Sequence, residues 1–209
     1  MKRVCFTGHR PKELFGEHSI DNERARFLYK RVYNVCFKLT EEKGIADFRS
    51  GGAQGLDTIA FMAVHKLKEK HPHIQNHLSI PYEEFSSSWE TTLERAKREK
   101  WSQKLIDDLE ATIKRYEWMK EAADTLVYVD TLPAYQPKGM APESIGKHDN
   151  RKMMMRNVHM LDESDMLVSC YNGSDRGGTY NTVTEAKKKG MLILNLNPNQ
   201  DFKLELLHT

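Results

Sequence analysis

Eight residues, Ser50-Gly51-Gly52-Ala53-Gln54-Gly55-Leu56-Asp57, place three glycines between a short apolar run, Ile45 to Phe48, and a periodic helical stretch opening near Leu56. Glycine admits positive φ and removes the Cβ that would hold a ligand away from the backbone. A helix starting there aims free N–H groups and its positive dipole end into the loop. Phosphate or another anion suits such a site. A second loop of this kind, Asn172-Gly173-Ser174-Asp175-Arg176-Gly177-Gly178-Thr179, also leads into a helical pattern. Arg10 and Arg176 add guanidinium forks matched to phosphate oxygens. Thr179 adds a hydroxyl at a helix start.

Neither loop is a standard nucleotide motif. Residues 50–57 lack the Lys-Ser/Thr ending of a P-loop, and neither loop has the G-x-G-x-x-G spacing. Nucleoside triphosphate hydrolysis and hydride transfer are therefore disfavoured. One glycine loop alone is as well explained by a tight strand-to-helix turn.

The elements that must carry these loops alternate. Strand-like runs are Arg3 to Thr7, Ala46 to Arg49, His77 to Ile80, Thr125 to Val129, Met166 to Tyr171 and Met191 to Asn195. Several are continuous apolar runs, as in a sheet buried on both faces. Helical periodicity covers 21–43, 56–69, about 150–163 and 180–189, with Gly190 as a C-cap. Ser87-Ser88-Trp89-Glu90 has capping-box spacing, and the charged helical region it opens breaks near Trp101-Ser102. Residues 130–149 have three prolines, two glycines and no periodicity, which reads as a long loop.

Such alternation predicts an α/β fold with a mostly parallel sheet covered on both faces, and the length suggests one domain or at most two small ones. Ligands of such sheets bind outside the carboxyl ends of the strands. The post-strand loops thus form one expected site. Its candidates are Gly8, His9 and Arg10, then Ser50, Gly51, Gly52, Ala53, Gly55 and Asp57, then Pro81, Tyr171, Gly177, Gly178 and Thr179. Tyr82, Tyr128 or Tyr171 could stack on a base.

Composition bounds the function. The chain has 209 residues, 30% of them charged, and a formal net charge of +2, which gives no polyanion-binding signature. No apolar run approaches the ~20 residues of a membrane span. With no signal-peptide pattern, a cytoplasmic location is expected. Three scattered cysteines, Cys5, Cys36 and Cys170, argue against disulfides and zinc knuckles. His71, His73 and His77 fall in an expected solvated loop, so no metal is expected, and no cofactor.

Together, Thr7-Gly8-His9-Arg10-Pro11, Ser50 to Asp57, Arg156-Asn157 with Asp162 and Ser164-Asp165, and Gly177-Gly178-Thr179 are similar to the YpsA-like family of the SLOG superfamily. That superfamily also holds the Lonely Guy enzymes and the DNA-processing protein A Rossmann domain. The resemblance runs from about residue 3 to 198. It implies one Rossmann-like domain over 1–209, a three-layer α/β/α sandwich with a helical extension around residues 86–119, and a nucleotide-like small-molecule ligand, with Arg156 and Asn157 joining the ligand-binding candidates. It also implies a sensor or sequestering role in a prophage, bacterial-conflict or cell-division setting. Pairing through helices, with Met153-Met154-Met155 as core or interface, suggests a homodimer.

The Lonely Guy enzymes carry Pro-Gly-Gly-x-Gly-Thr with a catalytic glutamate within three residues. Here Asp175 to Thr179 replaces that motif, and Tyr180, Asn181 and Thr182 follow. Glu185, the nearest carboxylate, stands about one and a half turns further on. A non-catalytic module is therefore the leading expectation. The alternatives are an N-glycosidase or phosphoribohydrolase drawing on Asp57, Asp162 or Glu185, and, by fold analogy alone, a DNA-binding protein.

Overall fold

Six strands run parallel: β1 (Arg3–Gly8), β2 (Asp47–Ser50), β3 (Gln75–Ile80), β4 (Thr125–Tyr128), β5 (Met166–Cys170) and β6 (Leu192–Asn197). A seventh, β7 (Lys203–Leu207), pairs antiparallel with β6. The sheet order is β4-β3-β2-β1-β5-β6-β7. This computed structural model describes residues 2–207; residues 1, 208 and 209, the ends of the expected 1–209 unit, lie outside the described residues.

Helices α1 (Pro11–Phe15), α2 (Glu23–Lys43), α3 (Leu56–Lys68), α4 (Ser87–Arg98), α5 (Gln103–Ala122), α6 (Asn150–Asp162) and α7 (Gly178–Lys188) occupy the connections. On one face of the sheet, Val4, Phe6 and Phe48 meet Leu28 and Val32 of α2 and Ile59 and Ala63 of α3. Farther out, Leu78 and Ile80 pack under Phe61, Tyr116 and Met119. On the other face, Cys5, Leu167 and Ile193 meet Met160 and Leu161 of α6 and Val183 and Ala186 of α7. The result is the Rossmann-like α/β/α sandwich. All five residues of β5 are buried, which explains its largely apolar character; the one polar residue, Ser169, donates its hydroxyl to Asn195.

Local chemistry sets the helix ends. Asn22 caps α2 by accepting the Ala25 N–H at 2.8 Å, and Gly44, with φ +64°, ends it. The helical extension is a hairpin of α4 and α5, broken at 99–102 near Trp101-Ser102. Trp118 sits edge-on to Phe61 at 5.5 Å and docks α5 on α3.

Four details depart from the sequence reading. The Ser87–Glu90 capping box does not form: Ser86 Oγ donates to Glu90 Oε1 at 2.7 Å, and Ser87 Oγ donates to the Glu84 carbonyl. A 3₁₀ turn, Glu83–Ser86, runs straight into α4, so the helix start differs from a boxed terminus. Helix α1 and strand β7 are elements that the apolar pattern of the sequence does not mark. The segment 130–149 is not an unstructured loop but is organised by short 3₁₀ turns, Val129–Thr131, Pro133–Tyr135 and Pro142–Ser144. They close over Lys152, whose Nζ donates to Asp130 Oδ2 (2.8 Å) and to the carbonyls of Ser144 (2.5 Å) and Lys147 (2.9 Å). Among the described residues, no helix is long and apolar enough to cross a membrane.

Candidate functional site

β1 and β5 are sheet neighbours, but the chain leaves them in opposite directions, toward β2 and toward β6. Their carboxyl ends therefore flank a topological switch point, where a crevice must open. A cavity of about 580 Å³ lies there. That volume falls in the ~300–1,000 Å³ range of small-molecule sites.

The loop after β1 forms one wall. A side chain on Gly8 would meet Leu56 Cβ at 2.6 Å, so only glycine lets this loop lie against the start of α3. His9 stacks on Tyr171 at 5.9 Å between ring centroids. Its Nε2 accepts the Asn172 N–H at 3.3 Å, which leaves the ring proton on Nδ1. Burial lowers the His9 pKa, favouring the neutral ring. Arg10 keeps solvent contact while standing among the cleft walls. Their crowding pulls its pKa down; Asp57 opposes that shift and the Arg156 charge adds to it. Its guanidinium remains cationic.

The second wall centres on a buried ion pair. Arg156 Nη1 lies 3.1 Å from Asp57 Oδ2, and the Ala53 N–H donates to the same oxygen at 3.2 Å. Gly51 makes the pair possible, because a Cβ there would fall 1.3 Å from Arg156 Nη1. Gly55 has φ +96°, and a Cβ on it would meet the His9 carbonyl at 2.5 Å. The glycines of this loop thus serve close backbone packing. Of Ser50 to Asp57, only Ala53 and Asp57 line the cavity. Arg156 Nε is buried with no hydrogen-bond partner among the described residues.

The third wall is the start of α7. No side chain caps it, and its first hydrogen bond runs from Asn181 N to Gly177 O. The N–H groups of Gly178, Thr179 and Tyr180 therefore lack an intrahelical acceptor. Nothing lies within 4 Å of where a Cβ on Gly177 or Gly178 would stand. Arg176 joins them on the lining, as do Asn157 and Thr179.

Other candidates sit elsewhere. Tyr171 stands behind His9 and donates its hydroxyl to the Ser174 carbonyl. Ser50, Gly51, Gly52, Gly55 and Pro81 lie off the lining. Asp162 is held by Lys189 Nζ (2.6 Å) and the Tyr135 hydroxyl (3.2 Å), and Glu185 by Lys188 Nζ (3.5 Å); neither borders the cavity. Asn172 and Ser174 of the second glycine loop do line it; sequence reasoning missed Glu13 and Met160, which also do, and read Met153, on the same lining, only as core or interface. Pro11 followed by Glu13 is a helix-start signature that could have placed Glu13 beside Arg10.

Among the described residues, no three His, Cys, Asp or Glu side chains gather as a metal set. His71 faces Glu41 at 3.5 Å, and His77 faces Asp47 at 3.2 Å. All three cysteines are free and buried, and burial pushes the Cys5 thiol up to about 12.

Three comparisons bear on this geometry. The YspA SLOG family model matches residues 4–126. The uncharacterized SPbeta prophage-derived protein YoqJ of Bacillus subtilis (strain 168) is 33% identical over 183 residues, covering 87% of this chain and 94% of that protein. UPF0398 protein BH1768 of Halalkalibacterium halodurans is 28% identical over 189 residues, covering 90% and 82% respectively.

Proposed function

The chain belongs to the YspA SLOG family, and from that premise we propose that it is a non-catalytic binding module for a phosphorylated, nucleotide-like small molecule. The observation that carries this reading is the uncapped start of α7, facing open space beside Arg176 and opposite Arg10. Free amides, a helix dipole and guanidinium groups together recognise phosphate. Asp57 is neutralised by Arg156, so the cleft keeps a cationic surplus against one further lining carboxylate, Glu13. Calorimetric titration with ribose 5-phosphate, AMP, ADP and ADP-ribose tests the reading. Saturable binding at one site per chain is expected, and flat responses across the whole panel rule it out.

An N-glycosidase is the second reading, and Glu13 is what favours it. This carboxylate borders the cavity and forms no ion pair among the described residues. Such an enzyme needs a carboxyl group within hydrogen-bond reach of the reacting centre. Base release from AMP, measured by chromatography and abolished by Glu13→Gln, supports this reading over the first.

A further inference from the structure

A second cavity of about 210 Å³ adjoins the main one, and Arg10 and Met153 line both. Its remaining wall is largely aromatic: Tyr82 and Phe85 after β3, Trp89 on α4, and His148 on the segment before α6. We propose that this cavity is the subsite for the heterocyclic base of the ligand whose phosphate occupies the main cleft, a proposal that rests on the phosphate-binding reading above.

The volume is below the ~300 Å³ at which whole-ligand pockets begin, so it suits one ring system and not a complete ligand. The rings are ordered by edge-to-face contacts. His148 meets Tyr82 at 5.6 Å, Tyr82 meets Phe85 at 5.7 Å, and Phe85 meets Trp89 at 5.4 Å. Tyr82 and Phe85 are buried, whereas Trp89 is half-buried and His148 is exposed. Two aromatic side chains thus retain free surface beside two anchored ones. Bases bind such platforms by stacking, and the Arg10 guanidinium plane can contribute to the same sandwich. Ser88 and Asn150 put polar groups on the rim, where base edges need donors and acceptors.

The subsite is built by two features with no other evident task in the main cleft. The α4–α5 hairpin brings Trp89, braced by Tyr116 at 5.3 Å. The buried Lys152–Asp130 pair fixes the segment carrying His148, since Lys152 holds the Ser144 and Lys147 carbonyls and Asp130 accepts the Gly146 N–H at 2.8 Å. Lys152 Nζ also lies 5.6 Å from the Tyr82 ring centroid.

The test compares AMP with ribose 5-phosphate, which share phosphate and sugar and differ only in the base. Calorimetry on the wild-type chain should show AMP binding tighter by about tenfold or more, the range expected for one stacked base. AMP should also quench Trp89 in a Trp101→Phe, Trp118→Phe background. Trp89→Ala and His148→Ala should each shrink the AMP preference; His148 is exposed, so its loss leaves the core intact even if Trp89→Ala loosens the hairpin. Equal affinity for the two probes, with ribose 5-phosphate still bound, overturns the base subsite and leaves the phosphate reading standing. An AMP preference unchanged in both variants overturns it as well. Failure of both probes to bind overturns this inference; the phosphate reading falls with it only when ADP and ADP-ribose fail as well.

Discussion

Arg156 reaches Asp57 through the space that a Gly51 side chain would fill, placing Nη1 3.1 Å from the carboxylate with both side chains buried. The pair ties α6 to the start of α3 and thereby sets the width of the cleft. Breaking a buried ion pair from one side strands the other charge, at a cost of about 3–5 kcal/mol. Asp57→Ala should therefore lower stability by that order, and Gly51→Ala should act alike by displacing the guanidinium. Urea unfolding measures both. If Gly51→Ala unfolds at the wild-type midpoint, glycine is not what admits Arg156.

Arg176 should contribute to phosphate binding without contributing to stability. It is exposed and forms no ion pair among the described residues. Losing a charge-assisted hydrogen bond weakens binding by about tenfold or somewhat more. Arg176→Ala should weaken ribose 5-phosphate by that factor, with an unchanged melting temperature. Unaltered affinity would remove Arg176 from the cradle.

Lys152 and Asp130 are both fully buried, and the charge of each is satisfied by the other. Lys152→Met keeps the volume but leaves Asp130 unpaired, so a loss of about 3–5 kcal/mol is expected. The segment 137–149 should then become the preferred site of proteolytic nicking. Protection equal to wild type would show that the 3₁₀ turns hold without the lysine.

How legible the molecule was depended on how local each signal is. Strands β1 to β6 and the long helices announce themselves by apolar runs and period, because burial acts on the residues themselves. The Ser50–Asp57 loop was readable as glycine-rich, but its role depends on Arg156, ninety-nine positions away along the chain. No local pattern shows that Gly51 makes room for a guanidinium. Pro137, Pro142 and the lack of period made 130–149 read as loose, because the group that orders it is one lysine inside a helix pattern. Strand β7 escaped because it is a short edge strand of five residues whose Leu204 and Leu206 stay exposed, so burial leaves little mark on its sequence.

His159 should make stability fall in mild acid. Its ring lies edge-on to Tyr135 at 4.9 Å, and Nδ1 is buried without a partner among the described residues. Burial, then the Arg49 charge, lowers its pKa from 6.5 to about 4, against the opposing pull of Glu163 and Asp162. Between those values the unfolded chain binds the proton and the native chain does not. Stability conferred by the neutral ring is thus whole above about 6.5 and is lost as pH falls toward about 4, by at most about 3 kcal/mol. Unfolding free energies across that window should slope less in His159→Gln than in wild type. Equal slopes would mean that His159 titrates normally.

Asn195, in β6, should control the cleft from within the sheet. Its Oδ1 accepts the Ser169 hydroxyl (2.8 Å) and the Tyr171 N–H (2.9 Å), while its Nδ2 donates to the Tyr171 carbonyl (3.0 Å) and Glu205 (2.8 Å). Every hydrogen-bonding site on this amide is used, and two of them clamp the residue from which the Arg176–Thr179 loop departs. Tyr171 in turn stacks on His9, so one amide fixes two cleft walls. Asn195→Asp keeps the shape but replaces the donor with an oxygen facing the Tyr171 carbonyl and the Glu205 carboxylate. Leaving such groups unpaired costs about 1–3 kcal/mol, more with a charge. The variant should lose stability of that order and also weaken ribose 5-phosphate several-fold, although Asn195 does not line the cavity. Adding Glu205→Gln restores a donor opposite the new carboxylate and should recover part of both losses. Recovery of stability without recovery of affinity would confine Asn195 to holding the sheet, and would leave the orientation of the Tyr171 loop to His9 and Asn172.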